Sequence, residues 1–340
     1  MAEMMRAAVF EGEGRLVVKD VPKPVCSKPD SVLLRVEAAG ICGTDLQIIS
    51  VPQKYPGEPN TILGHEYCGE VVEVGSEVFH VKPGDRVVID PNITCGVCRS
   101  CRQGLPNMCE HIVALGVQLN GGFAEYNVAP AKAVHKMSQE VSPEKGIFSE
   151  PISCILNPAM RVAFIPGMTV AIFGAGPIGQ LFIQYYRATS ASLIIAVEPS
   201  PYRAKAALAS GADIVIDPGK DDPAEKIQEI SGGGTDLAID AVGFVLNKAL
   251  GCVHKGGNVL AIGISQVPGE NIQQSALTIN EKTIVGTFIA NLTFYPAIRI
   301  IEHDIFCLDT LVTHRIPLED IKSGMELMES GECLKVIVCP

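Results

Sequence analysis

Tryptophan is absent, and 11 phenylalanines and 7 tyrosines are all the large aromatics in 340 residues. So thin a supply argues against a large greasy pocket. Positive charge is short as well: 27 lysines and arginines face 38 acids, a net charge of −11. That balance excludes a nucleic-acid groove, which needs a cationic surface. No long block of like charge is present, so no charged interaction tail is expected. An uninterrupted apolar run is missing too. The longest candidate, VAIFGAGPIGQLFIQYY at Val170 to Tyr186, carries glycine and proline near its start. It reads as a buried strand entering a helix, not as a membrane span. The opening MAEMMRAAVF lacks the cationic region, apolar core and small-residue cleavage site of a secretory signal. The expectation is a soluble, cytoplasmic protein with no membrane partner, no internal repeat and no low-complexity segment.

Cysteine, by contrast, is plentiful, with 12 residues. Without a secretory signal, disulfides are the poorer reading and metal ligands the better one. Cys95, Cys98, Cys101 and Cys109 form CGVCRSCRQGLPNMC, a C-x2-C-x2-C-x7-C pattern. Four thiolates this close can enclose one tetrahedral Zn2+ and leave no position for substrate, so the predicted role is a structural clamp. An iron–sulfur cluster is the rival, but the proline that follows the last ferredoxin cysteine is replaced by Glu110.

The length suits two domains, and the chain has two grammars. Up to about residue 150, short β-rich runs such as SVLLRVEAAGI, EYCGEVVEVG and DRVVIDP are punctuated by turn residues. That pattern predicts a barrel-like all-β domain. From about Asn157, continuous apolar strands (MTVAIFG, LIIAVEP, DIVIDP, TDLAIDAVG, GGNVLAIG, KTIVGTF) alternate with helical segments. This α/β alternation predicts a doubly wound parallel sheet covered on both faces. After about Leu292 the alternation stops, and periodicity alone does not assign the tail.

Gly174, Gly176 and Gly179 spell G-x-G-x-x-G between the strand VAIF and a helix opened by Pro177 and Ile178. In that context the turn amides and the helix N-terminus can receive a pyrophosphate. Glu198 ends the next strand, nineteen residues after Gly179. A carboxylate there suits the ribose 2′-hydroxyl of NAD, whereas Arg203, five residues on, could serve the 2′-phosphate of NADP. NAD is the favoured cofactor. Ile262, Gly263, Ile264, Thr287 and Phe288, at the ends of later strands, are further candidate cofactor contacts.

Two fragments supply a second donor set. GICGTDL carries Cys42, and LGHEYCGEVVEVG carries His65 and Glu66: a thiolate, an imidazole and a carboxylate. Catalytic zinc takes such a mixture with one position left open. A lone cysteine has a bland alternative as a small buried residue, and a lone histidine as a satisfied core or surface group. The case rests on the set.

That set resembles the zinc-containing medium-chain alcohol dehydrogenase family over the full chain. The matching pieces are C-G-T-D at Cys42, G-H-E-x-x-G-x5-G at Gly64 to Gly75, KPGDRV at Lys82 to Val87, the four-cysteine lobe and the glycine turn. The resemblance implies a GroES-like β-barrel catalytic domain from residues 1–156 and 292–340, with the zinc lobe at about 91–111. A Rossmann NAD-binding domain would span 157–291. It implies Cys42 and His65 as ligands of a catalytic Zn2+, and Thr44 as the hydroxyl that hydrogen-bonds the substrate oxygen. The implied reaction is oxidation of an alcohol whose carbinol hydride passes to nicotinamide C4, with zinc as the Lewis acid that acidifies the hydroxyl.

The stretch FSEPISCIL holds two candidates for a third ligand, Glu150 and Cys154. The resemblance places a cysteine at Cys154 in alcohol dehydrogenases and an acid before proline at Glu150 in polyol dehydrogenases. Glu150 is favoured, because EP and GHE both resemble the polyol branch and a cysteine also serves as a small buried residue. In that branch Glu66 or Glu150 can alternate with water. Gln47 stands where many members have a histidine, and glutamine does not titrate. The proton must therefore leave by water, through Glu66 or Glu150.

The leading expectation is an NAD-dependent polyol dehydrogenase converting a secondary hydroxyl to a ketone. L-Threonine 3-dehydrogenase and simple secondary-alcohol dehydrogenase are alternatives. A non-catalytic dinucleotide-binding protein is disfavoured, since it would not need Cys42, His65 and Thr44 together. A zinc-free reductase of this fold would lack the cysteine lobe. Relatives of the branch imply a homotetramer, or else a dimer, with KTIVGTF as a candidate edge strand.

Overall fold

A computed structural model describes residues 3–265, 267 and 271–340. Contacts within the chain group it into two compact units. The first comprises the chain up to Ser153, with Ala290–Asp304 and Val312–Pro340; the second comprises Cys154–Ile289 and Ile305–Leu311. The short segment Ile305–Leu311 thus belongs with the second unit, where the Cys307 amide donates to Gln184 Oε1 at 2.7 Å. Periodicity carries no sign of that return.

The first unit is built on the strand Ser31–Gly40. Its near-continuous apolar run, broken by Arg35 and Glu37, is buried at eight of ten positions because both faces are covered. The strand pairs antiparallel with Glu66–Val74, Tyr126–Pro130 and Lys335–Cys339. The sheet runs in the order Val134–Lys136, Arg86–Ile89, Glu66–Val74, Ser31–Gly40, Lys335–Cys339, Val312–Pro317. A smaller sheet sets Met4–Gly12 between Arg15–Pro22 and Thr61–Ile62. Phe10, Leu34, Val36, Ile41, Leu63, Tyr67 and Phe123 fill one buried cluster with their neighbours. Tyr67 keeps its hydroxyl satisfied there by donating to Asn127 Oδ1 at 2.9 Å.

Two registers position the site. Gly40 stands opposite Glu66 on one side and opposite Ile337 on the other. The residue ending the central strand therefore lies between the GHE strand and the C-terminal strand.

The second unit is a six-stranded, all-parallel sheet. Its order is Ile214–Ile216, Leu193–Val197, Thr169–Phe173, Thr235–Asp240, Val253–Ala261, Thr283–Gly286. In chain order that is third, second, first, fourth, fifth, sixth, the doubly wound arrangement of dinucleotide-binding sheets. The strands TVAIF and LIIAV are each buried at four of five positions, as a sheet with two covered faces requires. Connecting helices begin with proline at the first turn after capping residues. Ser200 accepts the Arg203 amide, and Asp222 accepts those of Ala224 and Glu225.

Candidate active site

Cys42, His65 and Glu66 converge in the first unit, with donor atoms all within 4.8 Å of one another. Cys42 is the N-cap of the helix Gly43–Ile49. Its amide donates to Asp45 Oδ2 at 2.9 Å, so the helix start is closed by the motif's own aspartate. His65 and Glu66 lie at the entry of the Glu66–Val74 strand, where Gly64 has φ +91°. A side chain on Gly64 would run into the Phe123 ring, so glycine is required both for φ and for space.

Asp45 is a site residue that sequence reasoning passed over. It is fully buried, and its Oδ1 faces His65 Nδ1 at 3.5 Å. Neither atom has a hydrogen-bond partner. Burial opposes charge on His65, but Asp45 and then Cys42 outweigh it, so the histidine pKa is raised well above its ordinary value. A metal would need the neutral ring, so its binding would compete with that proton. With Nδ1 facing the carboxylate, a hydrogen on Nδ1 would leave Nε2 as the nitrogen available to a metal. This orphaned polar pair and the sulfur, imidazole and carboxylate donors fit Zn2+.

Lys335 is the second residue missed. It lies at the start of the strand Lys335–Cys339 with its side chain 2% exposed, and Nζ donates to Glu66 Oε2 at 2.5 Å and to the Ile41 carbonyl at 3.3 Å. Burial opposes the ammonium, yet Glu66 and Cys42 more than offset it and its pKa is raised. The pair lies over Gly40. A Cβ there would stand 2.5 Å from Glu66 Oε2 and 3.4 Å from Lys335 Cδ.

Glu150 is buried in the first turn of the helix Ser149–Ala159, and its charge acts on both Lys335 and Tyr55. Cys154 lies one turn further along that helix. Neither belongs to the group whose donor atoms lie within 4.8 Å. Thr44 is half-buried in the first turn after Cys42. Gln47 presents its carbonyl to the amides of Lys54 and Tyr55, at 3.0 and 3.3 Å. Tyr55 had no sequence signal. Burial raises its pKa; His65 opposes that shift, while Cys42 and Glu150 add to it.

The cysteine lobe forms as well. The donor atoms of Cys95, Cys98, Cys101 and Cys109 all lie within 4.8 Å of one another. Amides point at the sulfurs: Cys95 N to Cys109 Sγ at 3.3 Å, Cys98 N to Cys95 Sγ at 3.3 Å, and His111 N to Cys109 Sγ at 3.4 Å. The amides of Cys101 and Glu110 hold Cys98 down to about 6. Burial and the neighbouring sulfurs push Cys101 the other way, up to about 12, so the amides favour a thiolate at Cys98 and not at every sulfur.

In the second unit, Gly174 at φ +89° ends the first strand and Gly176 caps the helix Pro177–Ala188, with Pro177 and Ile178 in its first turn. A Cβ on Gly179 would run into the Gly174 carbonyl. Glu198 is 5% exposed and accepts the Ala175 amide at 2.7 Å and the Ser200 amide at 2.9 Å. The Arg203 guanidinium packs against the turn, with Nη1 3.8 Å from where a Gly176 Cβ would stand. Ile262 and Gly263 follow the fifth strand and donate to the Asp240 carbonyl, and Ile264 beside them is exposed. Thr287 and Phe288 follow the sixth strand, where the Thr287 amide donates to Ala261 and the Phe288 carbonyl accepts from Asn157. All the predicted cofactor contacts therefore lie at the carboxyl edge of one parallel sheet, where such sheets bind ligands.

Fold and donor sets together define a metal-dependent dehydrogenase of two units. Residues 28–139 match the family described as "Alcohol dehydrogenase GroES-like domain", and residues 177–303 the one described as "Zinc-binding dehydrogenase". L-Threonine 3-dehydrogenase of Caldanaerobacter subterraneus subsp. tengcongensis is 35% identical over all of both chains. Sorbitol dehydrogenase of Bacillus subtilis is 33% identical over 99% of this chain and 97% of that one. A zinc-binding dehydrogenase of Sinorhizobium meliloti, solved bound to NADP, superposes with a TM-score of 0.95 at 32% identity, covering 99% of this chain and all of that one. The chain belongs to the zinc-containing medium-chain alcohol dehydrogenase family. It is an oxidoreductase acting on CH–OH groups, in a family that uses a nicotinamide dinucleotide. No described helix is long and apolar enough to cross a membrane.

Proposed function

We propose that this protein is an NAD-dependent polyol dehydrogenase that oxidises a secondary hydroxyl to a ketone, with one catalytic and one structural Zn2+. The observation that carries the reading is the convergence of Cys42, His65 and Glu66, with Glu150 acting on the same surroundings. When bound, zinc would supply Lewis acidity to the substrate hydroxyl, and NAD would accept the hydride.

The chain's own residues do the rest. Cys42 and His65 hold the metal, with Glu66 or Glu150 completing the set, and Asp45 fixes the histidine tautomer. Thr44 would hydrogen-bond the substrate oxygen and take its proton on the first step outward. Gln47 cannot carry that proton, so it leaves by water, through Glu66 or Glu150. Gly174, Gly176 and Gly179 would admit the pyrophosphate, and the Glu198 charge favours a 2′-hydroxyl over a 2′-phosphate. Cys95, Cys98, Cys101 and Cys109 would clamp the lobe.

An acid-rich surrounding suits vicinal hydroxyls, which donate to carboxylates. The cation beside these acids, Lys335, is already bonded to Glu66. Threonine would need a cation for its own carboxylate, which favours the polyol. The full-length similarity to an L-threonine 3-dehydrogenase supports threonine as the second reading. The chain would assemble as a homotetramer or dimer in the cytoplasm, through the edge strand Thr283–Gly286.

The test is NADH formation from NAD+ with sorbitol, xylitol, arabitol, galactitol and its phosphate, threonine and plain secondary alcohols, before and after chelation. Chelator-sensitive turnover of a polyol is expected. Turnover of threonine alone would replace the substrate, and NADH formation indifferent to metal removal would overturn the mechanism.

A further inference from the structure

Glu66 has two demands on it. Its carboxylate lies in the donor group with Cys42 and His65, and one of its oxygens accepts a buried ammonium at 2.5 Å. Lys335 has little freedom to let go. Its side chain is 2% exposed, its Nζ also donates to the Ile41 carbonyl at 3.3 Å, and it lies 6.0 Å from the centre of the Phe148 ring. The strand register keeps it there, since Ile337 pairs with Gly40 and Gly40 pairs with Glu66. Gly40 leaves the gap in which the two side chains meet.

We propose that Lys335 is a positioning residue for the metal centre: by occupying one oxygen of Glu66, it keeps that carboxylate from chelating the metal and so leaves a coordination position for the substrate oxygen. The inference rests on the reading of Cys42, His65 and Glu66 as a metal site. A carboxylate with both oxygens released is a stronger and more crowding ligand than one tied to an ammonium. With Cys42, His65 and a second acid nearby, a chelating Glu66 would close a centre that catalysis needs open.

The experiment uses cobalt-substituted full-length protein and the variants Lys335→Met, Lys335→Arg, Glu66→Gln and the double variant Glu66→Gln/Lys335→Met. Metal affinity is read by competition with a chromophoric chelator. Access to the metal is read from the change in the visible cobalt bands when a substrate alcohol is added. Lys335→Met should hold cobalt about tenfold more tightly, the order expected when one charged hydrogen bond no longer competes for the carboxylate. Its bands should lose their response to the alcohol. Lys335→Arg should retain the response. On the Glu66→Gln background, Lys335→Met should change neither readout, because the residue acts through Glu66. Should Lys335→Met alone fail to fold, Lys335→Gln, which removes the charge and keeps a polar side chain, is read in its place with the same two outcomes. Unchanged affinity and an intact alcohol response in Lys335→Met would overturn the proposal. So would a Lys335→Met effect that persists without Glu66. If the unsubstituted chain shows no sulfur-to-cobalt band sensitive to Cys42→Ser, the metal-site reading fails instead, before any lysine variant is compared.

Discussion

Asp45 Oδ1 stands 3.5 Å from His65 Nδ1, and the same carboxylate accepts the Cys42 amide through its other oxygen at 2.9 Å. One aspartate therefore meets two candidate metal donors that lie 23 positions apart in the sequence. Asp45→Asn keeps the size but removes the charge that fixes the histidine tautomer. It should weaken metal binding about 10–100-fold, the range for partners of metal-bound histidines. Chelator competition on the purified variant measures this directly, and unchanged affinity would make Asp45 a helix cap alone.

The two donor groups should separate by stoichiometry. The native chain is expected to carry two zinc ions. Cys98→Ser should lose one and lower the thermal midpoint, because metal binding at the four converging cysteines would be coupled to folding of the lobe. Cys42→Ser should lose the other and abolish turnover, with the smaller effect on the midpoint. Elemental analysis beside a melting curve tests both, and loss of the same ion by both variants would refute the assignment.

Glu198 should set the choice of dinucleotide. Removing its charge in Glu198→Gln leaves Arg203 against the turn and takes away repulsion of a 2′-phosphate. The ratio of NAD to NADP affinity should fall by about tenfold, equal to ~1.4 kcal/mol. Titration of both dinucleotides reads it out.

A pH effect is expected at the amino edge of the parallel sheet. Asp236 accepts the Thr169 amide and hydroxyl, each at 2.7 Å, and lies 3.1 Å from His254 Nε2. The hydrogen bond to Asp236 raises the His254 pKa above its usual 6.5. Burial opposes charge on Asp236, but the Thr169 and His254 bonds prevail and lower its pKa. The histidine's contribution to stability is thus complete below pH ~6.5 and is lost as pH rises through its higher folded value. The aspartate's contribution is present above its unfolded value and is lost as pH falls through its lower folded one. His254→Gln should therefore lower the thermal midpoint most near pH 5–6 and little at pH 9. Salt should shrink the difference, since both side chains are partly exposed. A deficit independent of pH would point to packing instead.

What the sequence discloses and what it hides divide by range. The cysteine lobe, the glycine turn and the strand–helix alternation are local patterns, legible because each is set by spacing within one turn or one βα unit. Asp45 was in view inside C-G-T-D, yet its reach to His65 depends on how two distant segments meet. Lys335 is harder still. Alternation would read a lysine in LKVIVC as facing solvent, whereas the strand is buried at four of its five positions. A lone lysine within a run too apolar to be half-exposed was the available signal. The break at Ile305–Leu311 had none, because a connection held by Gln184 and the Cys307 amide leaves no periodicity to detect.

Glu66 and Lys335 are 269 positions apart, and the whole parallel-sheet unit is encoded between them. At ~5–20 residues per second, a ribosome releases the carboxylate tens of seconds before the ammonium that matches it. During that interval the first unit lacks both the neighbour strand of Gly40 and the counter-charge for a buried acid. The order of synthesis thereby puts the closing of this buried ion pair after the whole parallel-sheet unit has been made.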